Sequence, residues 1–100
     1  MKVRYHPDAW RELQEAVAYY HERNPVVARR FAEIVHLEGR LVSEFPEASV
    51  KLGQGQRAHR VPRFPYTLIY GIDANGVLIL AVAHHSRRPS YWTNRLGANH

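Results

Sequence analysis

Tyr66-Thr-Leu-Ile-Tyr-Gly-Ile72, Asp73-Ala-Asn-Gly76 and Val77-Leu-Ile-Leu-Ala-Val-Ala83 form one continuous run, and its reading decides the fold. The first segment is rich in β-branched and aromatic residues, the middle four are turn formers, and the last segment is apolar throughout. Two strands joined by a tight turn form a hairpin. A strand apolar on both faces belongs inside a sheet, so 77–83 is expected to be central. Upstream, a short strand is expected over 58–63, and 51–56 reads as a polar, glycine-bearing loop.

The N-terminal half has a different period. Residues 2–5 alternate polar and apolar, as a short half-buried strand does. Pro7 suits a first helical turn, and Asp8 beside it favours the positive end of the helix dipole. Trp10, Leu13, Ala16, Val17 and Tyr20 then recur at spacings of three and four, one face of a helix. Asn24-Pro25 ends that helix and starts another, with Asn24 as N-cap. Ala28, Phe31, Ile34, Val35, Leu41, Val42 and Phe45 form its apolar stripe, and Pro46 stops it. The order is strand, helix, helix, three strands: a two-layer α+β domain over 1–96, with a short tail at 97–100 expected to fray. There are no internal repeats and no linker.

A chain of 100 residues has room for one domain and one core, which excludes a two-domain enzyme. The absence of cysteine excludes a disulfide framework, a thiolate metal site and a cysteine nucleophile, and it fits a reducing compartment. No apolar run approaches the roughly 18–20 residues that span a bilayer. Nor does MKVRYHPDAW offer a secretory signal, so no membrane association and a cytoplasmic location are expected. The charge is segregated. Residues 1–50 carry seven basic and eight acidic side chains, net −1, whereas 51–100 carry seven basic against the single acid Asp73, net +6. That imbalance points to a polyanionic partner, nucleic acid or an acidic protein segment. Six of the seven basic residues are arginine, which can fork onto phosphate or carboxylate.

Three groups could carry chemistry. Arg57, Arg60 and Arg63 recur every three residues and could bind an anion, or simply solvate and protect an edge strand. His84 and His85 end the central strand. Strict alternation puts His85 on the face of Ile79, Ala81 and Ala83, and His84 on that of Leu78, Leu80 and Val82. One of them could act as a general acid or base near neutral pH, or could merely bond a neighbouring carbonyl. Adjacent strand residues diverge, so no metal site is expected. Arg87, Arg88, Tyr91 and Trp92 could clamp a phosphate and stack a base, while Trp92 also caps the open end of the core. There is no P-loop, serine elbow or paired-carboxylate signature.

Taken in order, these segments resemble the RelE/ParE superfamily, the toxins of bacterial type II toxin–antitoxin (plasmid stabilisation) modules. The resemblance rests on Ala9 to Tyr20 with its Tyr19-Tyr20 end, Asn24-Pro25, Ala28-Arg-Arg-Phe31 and Leu41…Phe45-Pro46. It continues through Arg60…Arg63-Phe-Pro-Tyr66, Ile69-Tyr70 and Val82-Ala-His84…Arg87-Arg-Pro…Tyr91-Trp92, covering residues 2 to about 95. It implies a twisted antiparallel sheet packed on a helical hairpin, no cofactor, and a cognate antitoxin whose acidic C-terminal segment covers the basic surface. Arg57, Arg63, Arg87 and Arg88 are the residues expected to bind that segment or a phosphate.

The superfamily divides by target: RelE-like members cleave mRNA on the ribosome, and ParE-like members poison DNA gyrase. Carried over by position, Arg60 and Tyr91 match residues of the RelE-like site. His85 falls where such a site has arginine, and related nucleases of this fold use a histidine there. Ala58 replaces an expected lysine, and Thr67 an expected phosphate-binding arginine. Each preorganised donor is worth roughly 3 kcal/mol to a phosphate transition state, so the two losses weigh against a metal-independent endoribonuclease. Gyrase inhibition is therefore the favoured reading. An mRNA interferase using Arg60, His85 and Tyr91, or a decayed toxin that retains only antitoxin binding, are the alternatives.

Overall fold

The structure, a computed structural model, describes residues 1–95; the tail expected at 97–100 lies outside the described residues. The chain runs β1 (Val3–Tyr5), α1 (Pro7–Arg23), α2 (Pro25–Glu44), β2 (Val50–Lys51), β3 (Arg57–Arg60), β4 (Tyr66–Asp73), β5 (Gly76–His84) and a terminal 3₁₀ turn (Tyr91–Arg95). The strands form one sheet in the order β1-β5-β4-β3-β2, which puts the apolar β5 in the interior as its composition requires.

The sheet is antiparallel from β2 to β5, but β1 lies parallel to β5, with Val3 opposite Val77 and Tyr5 opposite Ile79. The all-antiparallel expectation is corrected on that edge to a mixed sheet. Parallel neighbours need a long crossover, and α1, α2 and the first hairpin strands supply it. The expected strand over 58–63 stops at Arg60, because Pro62 cannot continue the ladder and Arg63 turns the chain at φ +70°. Residues 50 and 51, the second expected in a loop, pair with Ala58 and Arg57 as a two-residue edge.

Both helices start as their caps dictate. The His6 ring accepts the Asp8 N–H at 3.0 Å ahead of Pro7, and the Asn24 side chain accepts the Val26 N–H at 3.0 Å ahead of Pro25. Their buried faces keep most of the expected stripes and depart from them at the flanks. In α1 the inward residues are Ala9, Glu12, Leu13 and Ala16, while Trp10 stays exposed with its ring edge-on to Tyr5. In α2 they are Ala28, Phe31, Val35, Gly39 and Val42, which leaves Leu41 and Phe45 exposed.

The main core lies between helices and sheet and includes Leu13, Phe31, Val35, Leu68, Tyr70, Ile79 and Val82. Tyr20, Phe31, Phe64 and Tyr66 form an aromatic cluster with ring centroids 4.9 to 5.2 Å apart. Such contacts add about 0.5–1.5 kcal/mol per pair beyond area burial. A smaller cluster of Ile69, Leu80, Ala81 and Trp92 sits on the opposite face, so Trp92 covers part of the sheet turned away from the helices instead of capping the main core. His59 ties β3 to α2: Nε2 lies 2.6 Å from Glu38 and Nδ1 3.1 Å from the Ser49 hydroxyl.

Candidate functional site

The site is organised by an irregularity in β5. Tyr70 pairs with Ile79 but Ile69 with Ala81, so Leu80 is an extra residue in its strand. A one-residue bulge reverses side-chain alternation beyond it. Val77 and Ile79 face the helices before it and Val82 after it, while Leu80 and Ala81 both join the opposite cluster. Strict alternation along β5 is thereby corrected. His84 shares the helix side with Val82, Val77 and Ile79, its ring edge-on to Tyr66 at 5.0 Å. His85 lies on the other face with Ala81 and Ala83 but not Ile79, and its Nε2 is 3.0 Å from the Thr67 hydroxyl.

Pairing then gathers the basic residues at one end of the sheet. Arg60 is opposite Thr67, Thr67 opposite Ala83 and Tyr66 opposite His84, while the His85 N–H donates to the Pro65 carbonyl at 2.8 Å. Arg60, Thr67 and His85 thus form a row across the face away from the helices, with Arg60 and His85 exposed. Arg63 is exposed in the β3–β4 connection, and Arg87 and Arg88 are exposed just beyond β5. Thr67, His85, Arg87, Arg88, Tyr91 and Trp92 line a hollow of about 280 Å³ on that side. Arg57 does not join them. Its guanidinium donates to the Glu47 and Ser49 carbonyls at 3.0 Å each and holds the α2–β2 connection.

Tyr91 is committed elsewhere. Its hydroxyl donates to Glu12 Oε2 at 2.6 Å, and Arg95 grips the same carboxylate with two N–H···O contacts of 2.9 Å. Glu12 Oε1 also accepts the Val82 N–H, just past the bulge, at 3.0 Å, and Arg95 donates to the Leu80 carbonyl. Every lone-pair direction of the buried carboxylate is in use, the condition under which a buried ion pair is tolerated. Burial, then the bond to Glu12, drives the Tyr91 phenol far above its ordinary value. Burial works against the charge of Arg95, and Glu12 outweighs it, so its pKa rises. Arg87 stacks on the Tyr91 ring at 3.8 Å. Glu12 and Arg95 are functional supports that the sequence reading missed. The available signal was a carboxylate inside the apolar stripe Ala9, Leu13, Ala16.

On the helix side a cleft of about 460 Å³ opens between α1 and the same end of the sheet. Tyr19, Tyr20, Tyr66 and Tyr91 wall it, Ala16 and Val82 line its depth, and His84 and Arg87 stand at its rim. Burial, with the neighbouring Tyr20 next, pushes the Tyr66 phenol up to about 12. Among the described residues, no helix is long and apolar enough to cross a membrane.

A helical hairpin on one face of a mixed sheet, with cations and aromatic rings concentrated at one sheet end, defines a small two-layer α+β domain. The sequence matches the model of the family described as "ParE toxin of type II toxin-antitoxin system, parDE" over residues 3–89. The chain belongs to that family of toxins, whose membership implies an antitoxin partner. Among solved structures it is similar to one described as "Chromosomal ParDE TA system from P. aeruginosa", with a TM-score of 0.73 and 14% identity. The likeness covers 84% of this chain and 95% of that one, and at this identity it speaks for the fold alone. No curated protein matches the sequence.

Proposed function

We propose that this chain arrests growth by inhibiting DNA gyrase, and that a cognate antitoxin with an acidic C-terminal segment neutralises it in the cytoplasm. The observation carrying this reading is the ParE family match over 3–89. The state of the open face agrees with it. Ala58 and Thr67 stand where RNA cleavage would need two more cations, and the Tyr91 hydroxyl is already given to Glu12. A toxin that acts by binding needs no proton acceptor. For the antitoxin, Arg60, Arg63, Arg87 and Arg88 offer forked donors to carboxylates. Leu41 and Phe45, exposed at the C-terminal end of α2, offer apolar area in a hollow shared with Arg60.

A second reading has support in the row Arg60, Thr67, His85: an endoribonuclease acting on mRNA at the ribosome, with Arg60 and His85 on the phosphate and Tyr91 oriented by Glu12. Antitoxin-free protein added to a gyrase supercoiling assay separates the two. Inhibition, with cellular messages left intact during pulse expression, is expected. New cuts within translated codons, lost in His85→Ala, would transfer the assignment to the nuclease. Absence of growth arrest would leave antitoxin binding alone.

A further inference from the structure

The helix-side cleft, Arg87 apart, is built from residues to which the proposed function gives no role. Its walls are four tyrosine rings, and its volume of about 460 Å³ falls within the range of small-molecule sites. Three hydrogen-bond donors line it; Tyr66 and His84 each keep a donor atom with no hydrogen bond among the described residues, and Arg87 lies 3.9 Å from Glu12, a carboxylate already held by Arg95. The first is Tyr66, whose ring is buried but whose hydroxyl has no acceptor among the described residues; as a phenol it is a donor at neutral pH.

The second donor is His84. Its Nδ1 accepts the Ser86 backbone N–H at 3.0 Å and faces the Ser86 hydroxyl at 2.7 Å, which fixes the ring proton on Nε2. The third is the half-exposed Arg87 guanidinium, held flat on Tyr91. The acids at the cleft do not cancel these donors. Glu12 is neutralised by Arg95, and Glu15 lies 3.5 Å from Arg11 at the rim.

Planar walls with convergent donors suit a ligand that is an aromatic ring at one end and an anion at the other. We propose that this cleft binds a nucleotide, the base stacked among Tyr19, Tyr20 and Tyr66 and the phosphate held by His84 and Arg87. Stacking on aromatic rings tolerates any base, and it is how single-stranded nucleic acids are held without sequence readout. An acidic peptide would leave the four rings unused and would find more cations on the opposite face. The nucleotide is either free or one unit of a single strand, since the recognising chemistry is the same.

Calorimetric titration of the full chain with AMP, and separately with a hexaadenylate RNA, tests this. Saturable binding of AMP is expected, weakened roughly tenfold or more by Tyr19→Ala and by Arg87→Gln. Lys2→Gln, at the far end of β5, serves as the charge-matched control. Hexaadenylate binding tenfold tighter than AMP would identify a strand as the source, and equal affinity a free nucleotide. No saturable heat with either probe at millimolar concentration overturns the proposal, as does equal affinity for ribose 5-phosphate. In the unmodified protein, amide shifts caused by AMP must centre on residues 15–20 and 82–87. Shifts centred on Arg60 and Thr67, with none over 15–20, would place binding on the opposite face and refute it.

Discussion

Glu12 is the residue on which most of this molecule's polar architecture turns. It joins α1 to the bulge through Val82 and to the terminal turn through Tyr91 and Arg95. Removing its charge strands the Arg95 guanidinium, 7% exposed, in a dry setting. Glu12→Gln is therefore expected to destabilise the fold by roughly 3–5 kcal/mol, read as a lower denaturant midpoint at unchanged slope. Replacing both Glu12 and Arg95 by Met should recover much of that loss, because the desolvation cost of the pair disappears with it. A loss equal to that of the single variant would refute the account. The tyrosines set an alkaline limit. The folded pKa values of Tyr66 and Tyr91 lie above the unfolded value of 10.0, so their contribution is intact below about pH 10. It is lost as pH rises towards 12, where the unfolded chain ionises first. Ultraviolet titration should find these phenols ionising together with unfolding, and early ionisation in the folded protein would contradict the burial. A carboxylate in an apolar stripe was legible in the sequence as a demand for a partner. The partner, 83 positions away, was not, because no local pattern connects the two.

Elements whose period is regular were legible, and those decided by an irregularity were not. The hairpin, the Asn24 cap and the proline starts follow from side-chain chemistry within a few residues of each position. The bulge at Leu80 does not, because one more apolar residue in an apolar strand looks like any other. It nonetheless decides which histidine faces which partner. The helix stripes held at Leu13, Ala16, Ala28, Phe31, Val35 and Val42 and failed at three flanking positions: Trp10, Leu41 and Phe45 are large enough to signal a core but lie on the exposed flank. The turn between β4 and β5 is bound to the N-terminal segment. Gly76 has φ +115°, and a Cβ there would meet the Lys2 backbone carbonyl, while the Val77 N–H donates to that same carbonyl at 2.8 Å. Gly76→Ala thus combines left-handed strain with a backbone clash. It should cost about 1–3 kcal/mol from the strain alone and loosen β1 from β5. Hydrogen exchange would read this as faster exchange at Tyr5 and Val77 than elsewhere in the sheet, and uniform exchange would refute the coupling.

For the whole molecule, the charge imbalance read from the sequence becomes geometry. The basic second half supplies Arg60, Arg63, Arg87 and Arg88 to one end of one sheet, whereas Arg57 and Arg95 are consumed internally. Capture of an acidic antitoxin segment should therefore quicken at low ionic strength and slow as the screening length falls from about 10 Å at 0.1 M to about 3 Å at 1 M. An association rate that ignores salt would show the apolar α2 flank to be the dominant contact. The parallel seating of β1 against β5 bears on how the protein comes into being. Translation releases β1, both helices and β4 before β5, yet β5 is the strand on which β1 and β4 meet. Until it emerges, β1 and β4 lack the strand that joins them and α1 lacks the strand against which it packs. Pairing across so long a stretch of chain is slow to form and cannot begin early. A chain interrupted before its fifth strand thus has no fold with which to injure the cell that is making it.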